Sequence, residues 1–401
     1  MNFPFYIAKR YLFSKSSSNT INIITFIAGI GVVIGTAALF IVLSGFSGLK
    51  TFSLSFLNTS DPDLKIIPVK GKRFTFDNQI QNILEDTPGV VAYTKVIEER
   101  AFFEYKNKSH LGIIKGIEEN FTTINPIDST IYIGDWINFE FENQVAIGRK
   151  LSNRLSLGLN DYLNPIKIYV PKSGKGYVSS IKNDINYVLT NPVGIFSLTE
   201  DIDDKYIFGT TAMAQKLLGY ESNQISSIEI KTQNKNLRNQ ALEYLNNNLG
   251  AEFKVKTREQ LNAVFYKMLN TENLASYLIF TLILIIALFN VIGALIMMIY
   301  DKKDNLKTLF NLGANIKDIQ RIFLLQGILL TLIGMSIGLI VSVVLVLLQK
   351  QYGLFMITTT LPYPIEFKIS NLIAVIITIV TLGYLASKLA CSRITEKRIE
   401  S

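Results

Sequence analysis

The sequence holds a single cysteine, Cys391, and a single histidine, His110. Neither a disulfide framework nor a Cys/His metal site can be assembled from them. No phosphate-cradling GxxxxGK(S/T) stretch occurs, and HExxH, CxxC and GxSxG are missing too, which removes the common nucleotide, metal and nucleophile sites. Charge is absent from four long stretches: Ile21 to Leu49, Leu274 to Tyr300, Ile322 to Gln349 and Ile369 to Ser387. If these cross a membrane they carry nothing that relays protons, which argues against an ion-coupled transporter or channel. His110 follows a KNKS turn and reads as a solvated loop residue, and Cys391 as an ordinary free thiol just past the last apolar stretch. The acidic pairs Glu98-Glu99, Glu118-Glu119 and Asp203-Asp204 read as solvated faces, not as acid/base couples.

What the chain has in quantity is apolar length. Hydrophobic residues make up 49% of it and the mean hydropathy is +0.29, more than a soluble chain of this size needs and less than an all-membrane one shows. Four spans are expected, at 21–46, 273–300, 322–349 and 369–387. Leu274 to Ile299 holds 16 Leu, Ile, Phe and Val residues, enough at about −0.3 to −0.6 kcal/mol each to carry even Asn290 into hydrocarbon. The net charge of +8 lies wholly outside residues 47–272, where 14 basic residues stand against 6 acidic ones. This excess gathers in Lys9, Arg10 and Lys15, in a 301–321 link, and in Lys388, Arg393, Lys397 and Arg398. The positive-inside rule therefore puts both termini and the link in the cytoplasm. Residues 47–272 are electrically neutral and keep no basic patch, so a nucleic-acid partner is excluded.

Taken in order, residues 1–20 interleave aromatics with Lys9 and Arg10, the pattern of an interfacial helix on the inner leaflet. The apolar run after them is too long for a signal peptide and lacks a small-x-small cleavage site, so it is expected to stay as the first span. Gly31 and Gly35 in that span, and Gly334 and Gly338 in the third, form GxxxG faces where another helix can come close. The span is expected to continue as an amphipathic stalk to Asp61-Pro62. The 47–272 segment then carries strand-like runs at Leu64–Val69, Val90–Val96, Ala101–Tyr105, Leu111–Lys115, Gln144–Ile147, Ile166–Val170, Tyr187–Phe196, Tyr206–Phe208 and Ile225–Ile230. Helical runs fall at Asn78–Leu84, Lys150–Leu155, Thr211–Leu218 and Leu237–Leu249. An α+β domain follows, with two lobes expected to meet around Gly116 to Trp136. From Arg258 to Tyr300 an unbroken helix of roughly 60 Å is expected. Residues 350–368 make a short loop, whose Leu361-Pro-Tyr-Pro364 reads as a turn, and 388–401 a basic tail.

The 301–321 link, DKKDNLKTLFNLGANIKDIQR, is too short to fold alone, yet places Leu306, Leu309, Phe310, Ile316 and Ile319 at helical spacing among lysines. A short helix lying on the membrane face is the expectation. Lys307, Leu309, Leu312-Gly313-Ala314 and then Ile322-Phe-Leu-Leu-Gln-Gly327 resemble the coupling-helix segment of ABC-transporter permeases of the lipoprotein-releasing LolC/LolE type, related to FtsX and to the membrane part of MacB. Val193-Gly-Ile-Phe196, the acidic run Glu200 to Asp204, Thr211 to Tyr220 and Ser227 to Ile230 are similar in order to the periplasmic domains of the same family. The resemblance covers the first span, parts of the inserted domain and everything from Arg258 onward.

The resemblance implies an α+β membrane protein of the inner membrane: four transmembrane helices, a large periplasmic domain between the first two, and cytoplasmic termini. It implies a permease subunit that binds no cofactor and is no enzyme, with ATP and Mg on a separate cytoplasmic ABC ATPase dimer gripping Lys303, Lys307, Leu309, Phe310, Leu312, Gly313 and Ala314. A second permease copy or homologue would pair with it. Acyl chains of a lipoprotein substrate would enter a cleft near Val32, Thr36, Phe40 and Leu43 of the first span and Tyr277, Phe280, Thr281 and Leu284 of the second, positions assigned by location. A periplasmic carrier would dock at the Pro171 to Asn186 loop, where Lys172, Gly174 and Tyr177 stand. That loop lacks the Pro-flanked apolar tip of the family, which leaves a plain hairpin as the alternative. Two rival functions share these features: FtsX- or MacB-like mechanotransmission to a cell-wall hydrolase or efflux partner, and a membrane-anchored sensor. The sensor predicts a cytoplasmic signalling domain that the sequence does not contain.

Overall fold

The computed structural model describes residues 3–13, 19–159, 161, 163–172, 185–359 and 361–392. It falls into two compact units, Met1–Ser53 with Lys267–Ser401, and Leu54–Tyr266. The chain opens with α1 (Phe3–Phe13) and α2 (Asn19–Ser60). Next come β1 (Leu64–Pro68), β2 (Phe74–Thr75), α3 (Asn78–Glu85), β3 (Val90–Tyr105), β4 (Lys108–Ile117), α4 (Phe121–Ile124), β5 (Ile131–Gly134) and β6 (Gln144–Gly148). The domain continues through α5 (Arg149–Leu155), β7 (Ile166–Pro171), β8 (Ile185–Phe196), α6 (Glu200–Lys205), β9 (Tyr206–Thr210) and α7 (Thr211–Leu218). It ends with β10 (Gln224–Ile225), β11 (Ser227–Thr232), α8 (Lys235–Asn248) and β12 (Phe253–Thr257). The last helices are α9 (Arg258–Leu261), α10 (Ala263–Asp301), α11 (Lys303–Asn311), α12 (Ile316–Tyr352) and α13 (Ile369–Cys391).

In the first unit α2, α10, α12 and α13 are each long and apolar enough to cross a membrane. The core they share is built from residues such as Val32, Phe40, Leu284, Val291, Leu295 and Ile379. Glycine sets how closely they approach. A Cβ at Gly334 would lie 2.9 Å from Val32 Cγ1, and one at Gly338 would lie 2.6 Å from the Val33 carbonyl oxygen, so α12 crosses α2 at backbone distance. Gly31 and Gly35 face α10, where a Cβ at Gly35 would meet Leu284 Cδ1 at 3.0 Å. The Leu361 to Pro364 segment does more than turn: a Cβ at Gly48 would overlap the Pro364 carbonyl oxygen, and the Glu366 N–H donates to the Ser44 carbonyl at 3.0 Å. The Asn371 amide donates to the Leu43 carbonyl at 3.1 Å and to Ser47 Oγ at 2.8 Å, which ties the start of α13 to α2.

The second unit contains the expected helices and strand runs, with two differences of extent and one of organisation. The expected Ile225–Ile230 strand is divided between β10 and β11. Val90–Val96 and Ala101–Tyr105 are one strand of 16 residues, because no turn residue interrupts it and Glu98, Glu99 and Arg100 keep their pairing with Lys115, Ile114 and Ile113 of β4. The sheet runs β12-β1-β11-β3-β4-β9-β6-β8-β5, and β7 bonds to both β3 and β8. Six strands, β3, β4, β9, β6, β8 and β7, therefore hydrogen-bond in a closed circuit. Phe103, Ile114, Ile147, Ile168 and Ile207 from these strands join Leu151, Met213 and Leu217 from α5 and α7 in one core. A second core lies where α3 and α8 cover β1, β11 and β12. The expected division at Gly116 to Trp136 is not there. Both cores share β3, and the 116–136 stretch feeds Ile117, Phe121 and Ile127 into a third cluster with Phe196 and Phe208.

Three smaller expectations are also corrected. His110 is a residue of β4 paired with Phe103, not a loop residue. The helix from Arg258 is not continuous: α9 opens with a capping box between Thr257 and Gln260, and Asn262 leaves helical geometry at φ −108 and ψ 33. Its side-chain amide turns instead to Asp61 Oδ2, at 3.1 Å, and to the Arg258 carbonyl, at 3.2 Å. Nor are the acidic pairs simply solvated. Asp203 is buried and accepts from the Leu198 N–H at 2.8 Å, Asp204 pairs with Arg154, and Glu98 belongs to a buried ion cluster described below.

Candidate functional site

The elbow between α10 and α12 contains the short helix, α11, that its apolar spacing implies. Leu306 is buried, and with Ile319, Phe323 and Cys391 it makes a small core against which Leu309 and Phe310 pack half-buried. The helix ends in a Schellman motif: the Ala314 N–H reaches the Leu309 carbonyl at 3.0 Å and the Gly313 N–H the Phe310 carbonyl at 2.9 Å. Gly313 sits at φ +94, where any side chain would be strained. Of the seven residues expected to meet an ATPase, Leu309 and Phe310 are thus partly spent on holding the helix down. Lys307 and Gly313 are exposed, Lys303 and Ala314 half-exposed, and Leu312 stands 79% exposed at the apex. A leucine that open at a rigid, capped turn is a surface knob without a cover in the single chain.

The eight positions expected to line a lipid cleft are placed differently from the expectation. Val32, Thr36, Phe40 and Leu43 are buried inside the first unit. Val32 and Thr36 lie under Gly334 and Gly338 of α12, and Phe40 meets Phe367 edge-on, with ring centroids 5.9 Å apart. On α10, Leu284 is fully buried, Tyr277 and Phe280 pack on the same core, and the Tyr277 hydroxyl lies 2.6 Å from Thr378 Oγ1. Thr281 is half-buried and its hydroxyl is unpaired. The reason is packing: this face carries the glycine contacts, so it closes on the chain's own helices. The open faces are others, with Ile23, Ile27, Ile30 and Ile34 exposed on α2. An apolar cavity of about 600 Å³ lies near the elbow, lined by residues such as Tyr11, Phe26, Ile30, Gln326 and Ile333.

Lys172 follows β7, which pairs with β8 in an antiparallel hairpin from Ile166 opposite Thr190 to Pro171 opposite Ile185. Gly174 and Tyr177 lie outside the described residues, as do Arg393, Lys397 and Arg398.

Sequence reasoning missed two polar assemblies in the second unit. At the point where its chain enters and leaves, Arg258 donates to the Asp61 carbonyl at 3.0 Å and to Asp63 Oδ1 at 3.1 Å, while Asp63 Oδ2 accepts from the N–H of Thr232 at 2.8 Å. Burial pushes the Asp61 carboxyl above its ordinary range, against the pull of Lys115 and Asn262. Deeper in the sheet, Lys65 bridges Glu98 at 2.8 Å and Glu229 at 3.3 Å, and Lys115 reaches the same Glu229 oxygen at 2.8 Å. Asn125 and Tyr206 donate to Glu229 and Glu98. Burial raises the Glu98 carboxyl, but Lys65 and Lys115 more than reverse this and hold it at about 2. Burial likewise disfavours charge on Lys65, and the two glutamates overcome it, so its ammonium is held above its ordinary range. The only sequence signal was a charged residue at an inward strand position, Lys115 on β4 and Glu229 on β11. Among the described residues no group of three or more His, Cys, Asp or Glu could hold a metal ion.

Residues 277–399 match the FtsX-like permease C-terminal family. Along nearly its whole length the chain is similar to the lipoprotein-releasing system transmembrane protein LolC of Buchnera aphidicola, at 27% identity over 95% of this chain and 94% of that protein. It is also similar to the LolE protein of that system from Haemophilus influenzae, at 23% identity over 86% of this chain and 83% of that one. Among solved structures, the periplasmic region of MacB from Actinobacillus actinomycetemcomitans aligns with 51% of this chain and 92% of its own length, at 10% identity and a TM-score of 0.35, too low to argue from.

Proposed function

From an FtsX-like permease domain at residues 277–399 and a near full-length likeness to lipoprotein-releasing permeases, we propose that this chain is the permease subunit of an ATP-driven ABC complex. The complex extracts acylated lipoproteins from the outer leaflet of the inner membrane and passes them to a periplasmic carrier. The second unit faces the periplasm and both termini and the elbow face the cytoplasm, a topology that the placement of the basic residues supports. ATP and Mg reside on a partner ATPase dimer, because this chain carries no phosphate loop, and the partner moves the chain through α11. A second permease subunit completes the complex.

One observation carries the reading: Leu312, 79% exposed on the Schellman turn between α10 and α12, is an apolar knob on a stiff lever, suited to a socket on another protein. The mechanical alternative, an FtsX-like action on a cell-wall hydrolase, uses the same elbow but a different cargo. Purification from native membranes separates the two. The proposal expects an ABC ATPase and acylated protein to co-purify, with release of the acylated protein on addition of ATP and a soluble carrier. Co-purification of an ATPase with an amidase would replace lipoprotein release by the mechanical role, and the absence of any ATPase would overturn both.

A further inference from the structure

The open face of α10 carries a repeat that the chain's own packing does not use. Ile279, Ile283, Ile286, Asn290, Gly293 and Met297 are all exposed, and their spacing of 4, 3, 4, 3, 4 is that of a helix seam built to meet another helix. Two members are out of place on a surface that faces only lipid. Asn290 has no hydrogen-bond partner among the described residues, although its amide lies about four residues from the middle of the Leu274 to Ile299 run. In hydrocarbon an amide without a partner is costly, since no water can satisfy it. Gly293 sits one turn away on the same face, and a Cβ built on it would meet nothing within 4 Å, so a second backbone can approach there closely.

We infer that this seam is the contact between two copies of the chain, with α10 packed against α10 and the two Asn290 amides hydrogen-bonded across the two-fold axis. The inference rests on the proposed pairing of permease subunits and specifies the face that makes it. The amide decides the occupant. Two copies inserted in one membrane are parallel and hold Asn290 at the same depth, and an amide both donates and accepts, so it is its own complement. The other exposed stripes, Ile23, Ile27, Ile30 and Ile34 on α2, Ile333, Ile337, Ile340, Val344 and Leu347 on α12 and Ile369, Ile373, Ile377 and Val380 on α13, are built from side chains with no hydrogen-bonding group. A single polar residue in an apolar seam also fixes register, because any slip strands both amides.

The test uses full-length chain in native membranes, with Cys391→Ala to remove the only thiol. Asn290→Cys or Ile286→Cys is expected to give an oxidised homodimer, and Ile340→Cys, on the exposed face of α12, is not. Separately, dimerisation measured by energy transfer between labelled copies is expected to weaken roughly 3- to 20-fold in Asn290→Leu, the range of one interhelical hydrogen bond in a membrane, and to recover in Asn290→Gln. Equal cross-linking at all three positions, or an undiminished dimer in Asn290→Leu, would overturn the seam. If the chain still co-purifies with an ATPase in that case, the permease reading survives and only the choice of face has failed.

Discussion

Substitution Leu312→Asp in the full chain is expected to abolish retention of the partner ATPase during purification, with the chain itself inserted and folded as before. Leu312 touches nothing that holds α11 in place; that work falls to Leu306, Leu309 and Phe310. Loss of one buried leucine from a contact is worth about 1.5–3 kcal/mol, roughly a 10- to 150-fold weaker complex, and a carboxylate pressed into an apolar socket adds an uncompensated desolvation cost. Lys307→Glu is expected to do less, because an exposed ion pair contributes only about 0–1 kcal/mol. The ordering separates a knob-in-socket contact from a purely electrostatic one. If Lys307→Glu released the ATPase and Leu312→Asp did not, the elbow would be held by charge and the apolar apex would have no part in it.

The second large effect is on stability. Lys115→Met leaves Glu229, which has no exposed side-chain surface, with Lys65 as its counter-charge among the described residues and Asn125 as a hydrogen-bond donor. Removing one partner of a buried ion cluster costs about 3–5 kcal/mol, and for a unit of this size each kcal/mol lowers the melting temperature by about 2–4 °C. The second unit should therefore melt roughly 6–20 °C lower, followed in detergent by thermal unfolding of the full chain. Adding Glu229→Gln to Lys115→Met removes the stranded charge and should restore most of the loss. The pH dependence has a definite sign. Glu98 is held at about 2, below its unfolded range, so the stability it contributes is fully present above that range and disappears as the pH falls through about 2. Lys65 is displaced upward, so its contribution holds below its unfolded range and is lost as the pH rises past its folded value. A Lys115→Met chain as stable as the parent would show that the cluster is neutral to folding.

These features differ in how far the residues alone disclosed them. Periodicity exposed the four spans and the elbow, because a charge-free run of 19 or more residues and a Leu-Gly-Ala stop are local signals. The GxxxG pairs announced close approach but not the neighbour: nothing in Gly35 says that it meets Leu284 and not another chain. For the same reason the Val32, Thr36, Phe40 and Leu43 face could not be told from a lipid-facing one. In a helix that is apolar all round, the pattern carries no contrast between inside and outside. The 16-residue β3 was split at Glu98-Glu99-Arg100 because charge in a strand reads as its end, whereas here Glu98 is paired with Lys65. That pairing, like that of Lys115 with Glu229, is made by strand order, which separates sequence neighbours and joins distant residues.

The central claim is that motion from a nucleotide-driven partner enters this chain at the α11 turn. A photoreactive amino acid placed at position 312 and illuminated in native membranes tests it most directly. The account predicts one dominant adduct, whose second component is the nucleotide-binding subunit of an ABC ATPase. An adduct formed only with lipid, or with a protein from the far side of the membrane, would contradict it.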